Sequence, residues 1–261
     1  MGYKTLILSA LPVISGAYWY FCAYTALFFA IPWLNKMIRA CTDQELNKMC
    51  GGIFILFSVL TALFSPDLFT LSNGYSFIWL ALLYCIGAWL KRNRIPEKIS
   101  SFKALIGLVL CIGVTWGCYF FIPNGSRLLN YISPTILLVA LLLVCIFSKI
   151  RVGKRAAKFI GCFAPAAFGV YLIHVQPCVW EHFMSGAFVW ITKLNWIWIA
   201  PAVLISALCI FIVCILIERI RLSVFKVLRI DKLIAWLEIK IDKGINVLNE
   251  KIQILLRNIL A

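Results

Sequence analysis

Seven unbroken apolar stretches run along this chain of 261 residues, at about Ile14–Met37, Cys50–Phe64, Tyr75–Leu90, Leu105–Ile122, Ile132–Phe147, Phe159–Met184 and Trp196–Ile217. They are continuous rather than alternating in polarity, which predicts helices and argues against the strands of a membrane barrel. Several approach the roughly 20 residues that a helix needs to cross ~30 Å of hydrocarbon. The connections Ser65-Pro66-Asp67 with Ser72-Asn73-Gly74, Pro123-Asn124-Gly125-Ser126, and Ser185-Gly186 through Asn195 are short and turn-rich. Links of that kind join antiparallel helices and leave no room for a separate domain. The pattern predicts an all-α fold, a polytopic membrane helix bundle with seven transmembrane helices, over residues 1–218. In 219–261 a seam at Val227, Ile230, Ile234, Leu237, Ile241 and on to Ile259 repeats every three or four residues, and Lys232, Lys240, Lys243, Lys251 and Arg257 lie off it. That is a C-terminal amphipathic cytoplasmic helix, lying on the leaflet or pairing with a partner helix.

Charge adds orientation. Of the 25 basic residues, 22 fall in the tail or in the connections after the first, third and fifth stretches; only Lys4, Arg127 and Lys193 fall on the other side. The positive-inside rule then places the N-terminus outside and the C-terminus in the cytoplasm. Composition agrees, since 63% hydrophobic and 13% charged residues fit a protein solvated by a lipid bilayer and not a soluble fold. The net charge of +15 is explained by topology and anionic lipid, so no nucleic acid is expected. Most of the 11 cysteines lie inside apolar runs, and no Cys/His spacing argues for a metal.

The sixth stretch is irregular. Pro165 and Pro177 interrupt it, and a kink or break is expected near Pro177. His174 is the only histidine deep in an apolar run, with Glu181 and His182 nearer the boundary. Ionisable groups at such depth are costly and are candidates for function, although a lone histidine also serves to bond a neighbouring helix. The first stretch brings a second polar cluster, Tyr18, Trp19, Tyr20 and Tyr24, ending in Pro32-Trp33-Leu34-Asn35-Lys36. Counted inward at 1.5 Å per residue, Tyr24 and His174 lie at about 15 and 16 Å, similar depths at which they could share a cavity.

The run Tyr18-Trp19-Tyr20-Phe21-Cys22-Ala23-Tyr24 through Pro32-Trp33-Leu34-Asn35-Lys36, with the later Phe168-Gly169-Val170-Tyr171-Leu172-Ile173-His174, resembles the integral-membrane acyltransferase-3 family, in the branch that O-acetylates bacterial surface polysaccharides. The resemblance covers nearly the whole chain up to the tail. It implies a membrane-bound O-acyltransferase in the bacterial cytoplasmic (inner) membrane, with acetyl-CoA or another acyl-CoA as cytoplasmic donor and a hydroxyl of a polysaccharide or lipid-linked sugar as acceptor. Tyr18, Trp19, Tyr24, Asn35, Tyr171 and Glu181 become the expected substrate-binding residues, and His174 the candidate catalytic residue in a supporting, orienting role.

Two departures qualify the resemblance. Where one branch of the family carries a glutamate, this chain has Tyr24-Thr25, so no carboxylate role carries over. The arginine and histidine that family members place near their first helix have no counterpart. The chain is therefore expected to be the C-terminal part of such an enzyme, inactive alone and partnered by a separately encoded N-terminal fragment. A non-enzymatic transporter, flippase-like or scaffold subunit is the alternative; a transporter would need matched helix interruptions in two halves, and only the sixth stretch shows a strong one.

Overall fold

The computed structural model describes residues 18–64, 67–240 and 242–243, and among them there is no strand. The chain forms two compact units divided between Lys154 and Arg155. The first is built from α1 (Trp19–Ala40), α2 (Asp43–Phe64), α3 (Phe77–Arg92), α4 (Ser101–Phe121) and α5 (Pro134–Phe147). The second carries α6 (Lys154–Phe163), α7 (Ala167–His174) and α8 (Trp196–Val227).

Among the described residues, six helical stretches are long and apolar enough to cross a membrane: Trp19–Ala40, Asp43–Phe64, Ser101–Phe121, Gly125–Phe147, Lys154–His174 and Trp196–Val227. The all-α membrane bundle is as expected. The third of the seven predicted spans corresponds to α3, whose 16 residues make a rod of about 24 Å, short of ~30 Å of hydrocarbon. It nevertheless lies along α1 from one end to the other. At one end the rings of Trp19 and Tyr75 are 4.6 Å apart, midway the Tyr84 hydroxyl donates to Asn35 Oδ1 at 2.8 Å, and at the far end Arg92 Nη1 donates to the Ile38 carbonyl at 3.1 Å.

Side chains at the helix surfaces are apolar where a water-soluble protein would be polar. Val109, Leu110 and Phe120 of α4 and Leu204, Ile205 and Leu208 of α8 are all exposed. Apolar exposure on that scale is stable only against lipid. Inside the first unit, Leu46, Trp79, Ile86, Ile132 and Leu137 form the buried core. Between α4 and α5, Gly107 leaves space for Leu142, and the Thr115 and Thr135 hydroxyls are hydrogen-bonded at 2.8 Å. Serines 76, 100 and 133 start α3, α4 and α5 by accepting a backbone N–H. At the start of α2, Thr42 and Glu45 bond reciprocally, which satisfies two of the orphan donors of a helix N-terminus.

The two ends of the first unit differ in chemistry. Arg92 bridges to Asp43 at 2.7 Å, Lys149 donates to the Ile99 carbonyl, and the Trp89 indole donates to Asn47 at 2.6 Å. These bonds gather the connections after α1, α3 and α5, the three expected to be basic, at one end. The opposite end holds the two intervening connections and the start of α1, and it is aromatic.

In the second unit α8 runs unbroken through Arg219 and Arg221 to Val227. The chain then turns at Leu228 and Arg229, where φ is 53°, and is helical again over 230–240. The seam position Ile241 and those from Ile245 onward lie outside the described residues, as do the start of the first predicted span and the Ser65-Pro66 turn.

Candidate functional site

The interruption in the sixth stretch is a true break. A short 3₁₀ turn, Ala164–Ala166, absorbs Pro165 before α7, and α7 stops at His174. Pro177 then opens a new turn, Pro177–Val179, that passes into a π-helical turn, Trp180–Met184. A proline has no N–H to leave orphaned at a first helical position, and Gln176 caps the turn by accepting from the Val179 N–H at 2.9 Å.

His174 sits at the mouth of this break, half-buried. Its Nδ1 lies 2.8 Å from the Val170 carbonyl oxygen. A carbonyl only accepts, so Nδ1 carries the proton, and in the neutral ring Nε2 is then the basic nitrogen. One turn of helix thus selects the tautomer. The Tyr171 ring packs against the imidazole with centroids 6.1 Å apart, so these two predicted residues come together. Glu181 is exposed in the π-helical turn beyond.

Glycine 169 explains how α7 is held. A side chain there would meet the Glu218 carboxyl group of α8, with Cδ only 2.4 Å from the new carbon. Glu218 is buried, and Arg221 holds it with Nε to Oε2 at 2.7 Å and Nη2 to Oε1 at 2.5 Å. A buried carboxylate needs such pairing. The ion pair therefore packs against the backbone of the segment that ends in His174. Sequence reading passed over this pair because Glu218 falls one residue past the last apolar stretch; the signal was an acidic residue three positions before an arginine on one helix.

In the first unit the predicted aromatic cluster divides. Ala23 and Leu27 place one stripe of α1 in the core, and Trp19, one turn earlier on it, points toward Tyr75 and Tyr131 at 4.6 and 6.2 Å. Tyr24 lies on the neighbouring stripe, half-exposed and stacked on Tyr20 at 6.1 Å. Tyr18 is buried at the N-cap of α1. Asn35 sits on the far half of α1, its side-chain oxygen occupied by Tyr84. Tyr24 belongs to the first unit and His174 to the second. Tyr75 and Tyr131 were missed from sequence because each stands at the start of an apolar stretch or just before it, where a tyrosine reads as an interfacial anchor.

At the basic end, α2, α3 and α5 border an open apolar cavity of about 500 Å³ whose polar lining includes Asn47 and Asn93. It has the size of a small-molecule site. No group of three or more potential metal ligands occurs among the described residues.

Helices of spanning length in a bundle that exposes its apolar faces define a polytopic membrane protein. The pattern of one family, the acyltransferase domain of acyltransferase-3, matches residues 2–217, so the chain belongs to that family and is a membrane acyltransferase by domain and by helix character. No curated protein and no solved structure matches it.

Proposed function

We propose that the protein transfers an acetyl or other acyl group from acyl-CoA, on the cytoplasmic side of a bacterial inner membrane, to a hydroxyl of a surface polysaccharide or its lipid-linked precursor. The observation that carries this reading is His174 itself. Acyl transfer to a hydroxyl needs a group within hydrogen-bond reach of the acceptor proton, and a histidine whose Nδ1–H is tied to Val170 presents Nε2 for that contact. Tyr171 beside it orients the ring or the sugar. Orientation follows from charge: the basic end of the first unit is cytoplasmic and the aromatic end external. The cavity at the basic end then lies where the donor arrives, with Arg92 and Arg94 adjoining its lining residue Asn93.

The test is deletion of the coding sequence in its own host, followed by restoration with the wild type or with His174→Ala. O-acyl groups on the purified surface polysaccharide, read by NMR, fall on deletion and return with the wild type. In His174→Ala they return about 100-fold less, the usual size of a lost acid–base contribution. An O-acyl content indifferent to the deletion would overturn the reading.

A further inference from the structure

At the aromatic end of the first unit three rings from three separate segments converge. Trp19 and Tyr75 meet edge to face at 4.6 Å and 69°, Tyr75 and Tyr131 at 5.0 Å and 70°, and Trp19 lies 6.2 Å from Tyr131. Rings of an interfacial belt anchor singly and face lipid; these face one another. The backbone beneath them is built to the same end. Thr70, Ser72 and Asn73 all have φ near 50°, and Gly74 has φ of 101°. Left-handed conformations at non-glycine residues cost energy and persist only where their surroundings hold them. Here the Asp67 carboxylate accepts the Leu71 and Ser72 N–H groups at 2.6 and 2.9 Å. A side chain on Gly74 would strike Tyr131 Cβ at 2.5 Å, so the turn is pressed against the base of that side chain. The turn is also stapled to the α4–α5 connection, since Asn130 Nδ2 donates to Asn73 Oδ1 at 3.0 Å. Trp79, 2% exposed, packs beside Gly74, while Tyr75 and Tyr131 are each 48% exposed.

We propose that this held, open set of rings is a saccharide-binding platform on which Trp19, Tyr75 and Tyr131 receive a pyranose ring and the Asn73–Asn130 pair and the two phenols meet its hydroxyls. The chemistry is that of an amphipathic ligand. A pyranose has apolar C–H faces that pack on the electron-rich face of an aromatic ring, and a hydroxyl rim that suits amides and phenols. An acyl chain has no hydroxyls with which to exchange hydrogen bonds at the amides and phenols of the rim. The inference rests on the acyl-transfer reading, for which the platform would present the acceptor.

The test is saturation-transfer difference NMR on the full chain in nanodiscs, with methyl α-D-glucopyranoside, methyl α-D-mannopyranoside and methyl β-D-galactopyranoside as probes. Saturation is expected on pyranose C–H protons of at least one probe. It should drop about fivefold in Trp19→Ala and in Tyr131→Ala, the scale of one lost aromatic contact, and be retained in Trp19→Phe and in Trp190→Ala, an exposed tryptophan of the second unit. Unchanged gel-filtration profiles separate loss of binding from loss of fold. No saturation with any probe, or equal saturation in Trp19→Ala and Tyr131→Ala, overturns the platform. Probe binding that follows Trp19 and Tyr131 in a host whose O-acyl content ignores the gene supports the platform and overturns acyl transfer. O-acylation that follows the gene with no probe binding does the reverse.

Discussion

Glu218 is the residue whose role is least visible from its neighbours in sequence. Its carboxylate is buried against Gly169 and answered by Arg221. Removing the arginine alone leaves a buried charge without its partner, so Arg221→Ala is expected to cost about 2 kcal/mol, below the usual loss for a fully buried pair because Arg221 is partly exposed. Adding Glu218→Gln should recover part of that loss; thermal unfolding in detergent reads both. Gly169→Ala forces a carbon into the carboxyl group and should lower stability by about 1–3 kcal/mol. These effects should also lower acyl transfer, since the helix that carries His174 moves with the pair. The histidine drew attention in the sequence because a lone ionisable group stands out in an apolar run. Its tautomer was not legible there, because that depends on the Val170 carbonyl one turn back and on the helix actually ending there. The ion pair was hidden for a similar reason, because whether a carboxylate at the end of an apolar stretch meets water or a glycine of another helix is decided by packing.

At the scale of elements, the helices were legible because apolar continuity over nearly 20 residues admits few other structures in lipid. The short α3 shows the limit of that logic. Its length falls below the spanning criterion, and its course along α1 is shown instead by Tyr84 at Asn35, Arg92 at Ile38 and, just before the helix, Tyr75 at Trp19. Within α2 the chain widens to a π-helix over Phe54–Leu60, which no periodicity announced. There Ser58 and Thr61 are buried, and among the described residues neither hydroxyl has a hydrogen-bond partner. An unmet buried hydroxyl costs about 1–3 kcal/mol. Ser58→Ala and Thr61→Val are therefore expected to leave stability unchanged or raise it, against the usual trend for buried substitutions, and the same unfolding measurement decides. A clear loss of stability would mean that these hydroxyls are bonded in the membrane.

For the whole molecule, one-sided charge predicted two chemically distinct faces, and the first unit has them: a basic end gathered by Arg92 and Lys149, and an aromatic end gathered by Trp19, Tyr75 and Tyr131. The proposed orientation is checked by labelling. In a cysteine-free background a membrane-impermeant maleimide should modify Arg127→Cys in intact cells and Arg94→Cys only after permeabilisation. The reverse pattern would invert the orientation. What the sequence could not supply at this scale was the convergence of distant turns, because Trp19, Tyr75 and Tyr131 are brought together by the pairing of α1 with α3 and by the contact of the Asn73–Gly74 turn with Asn130 and Tyr131 rather than by any local pattern.

Arg92 has one further consequence, for which substitutions this protein can tolerate. A topogenic charge has no identity beyond its sign, so lysine and arginine should exchange freely at positions 91, 94 and 98. At 92 the same charge also grips the last turn of α1 through a carbonyl and Asp43 through Nε, contacts that a single ammonium cannot make in that geometry. A saturation library sorted for folded, membrane-inserted protein should accept either basic residue at 91, 94 and 98 and favour arginine at 92, which would mark where insertion and folding read the same codon differently.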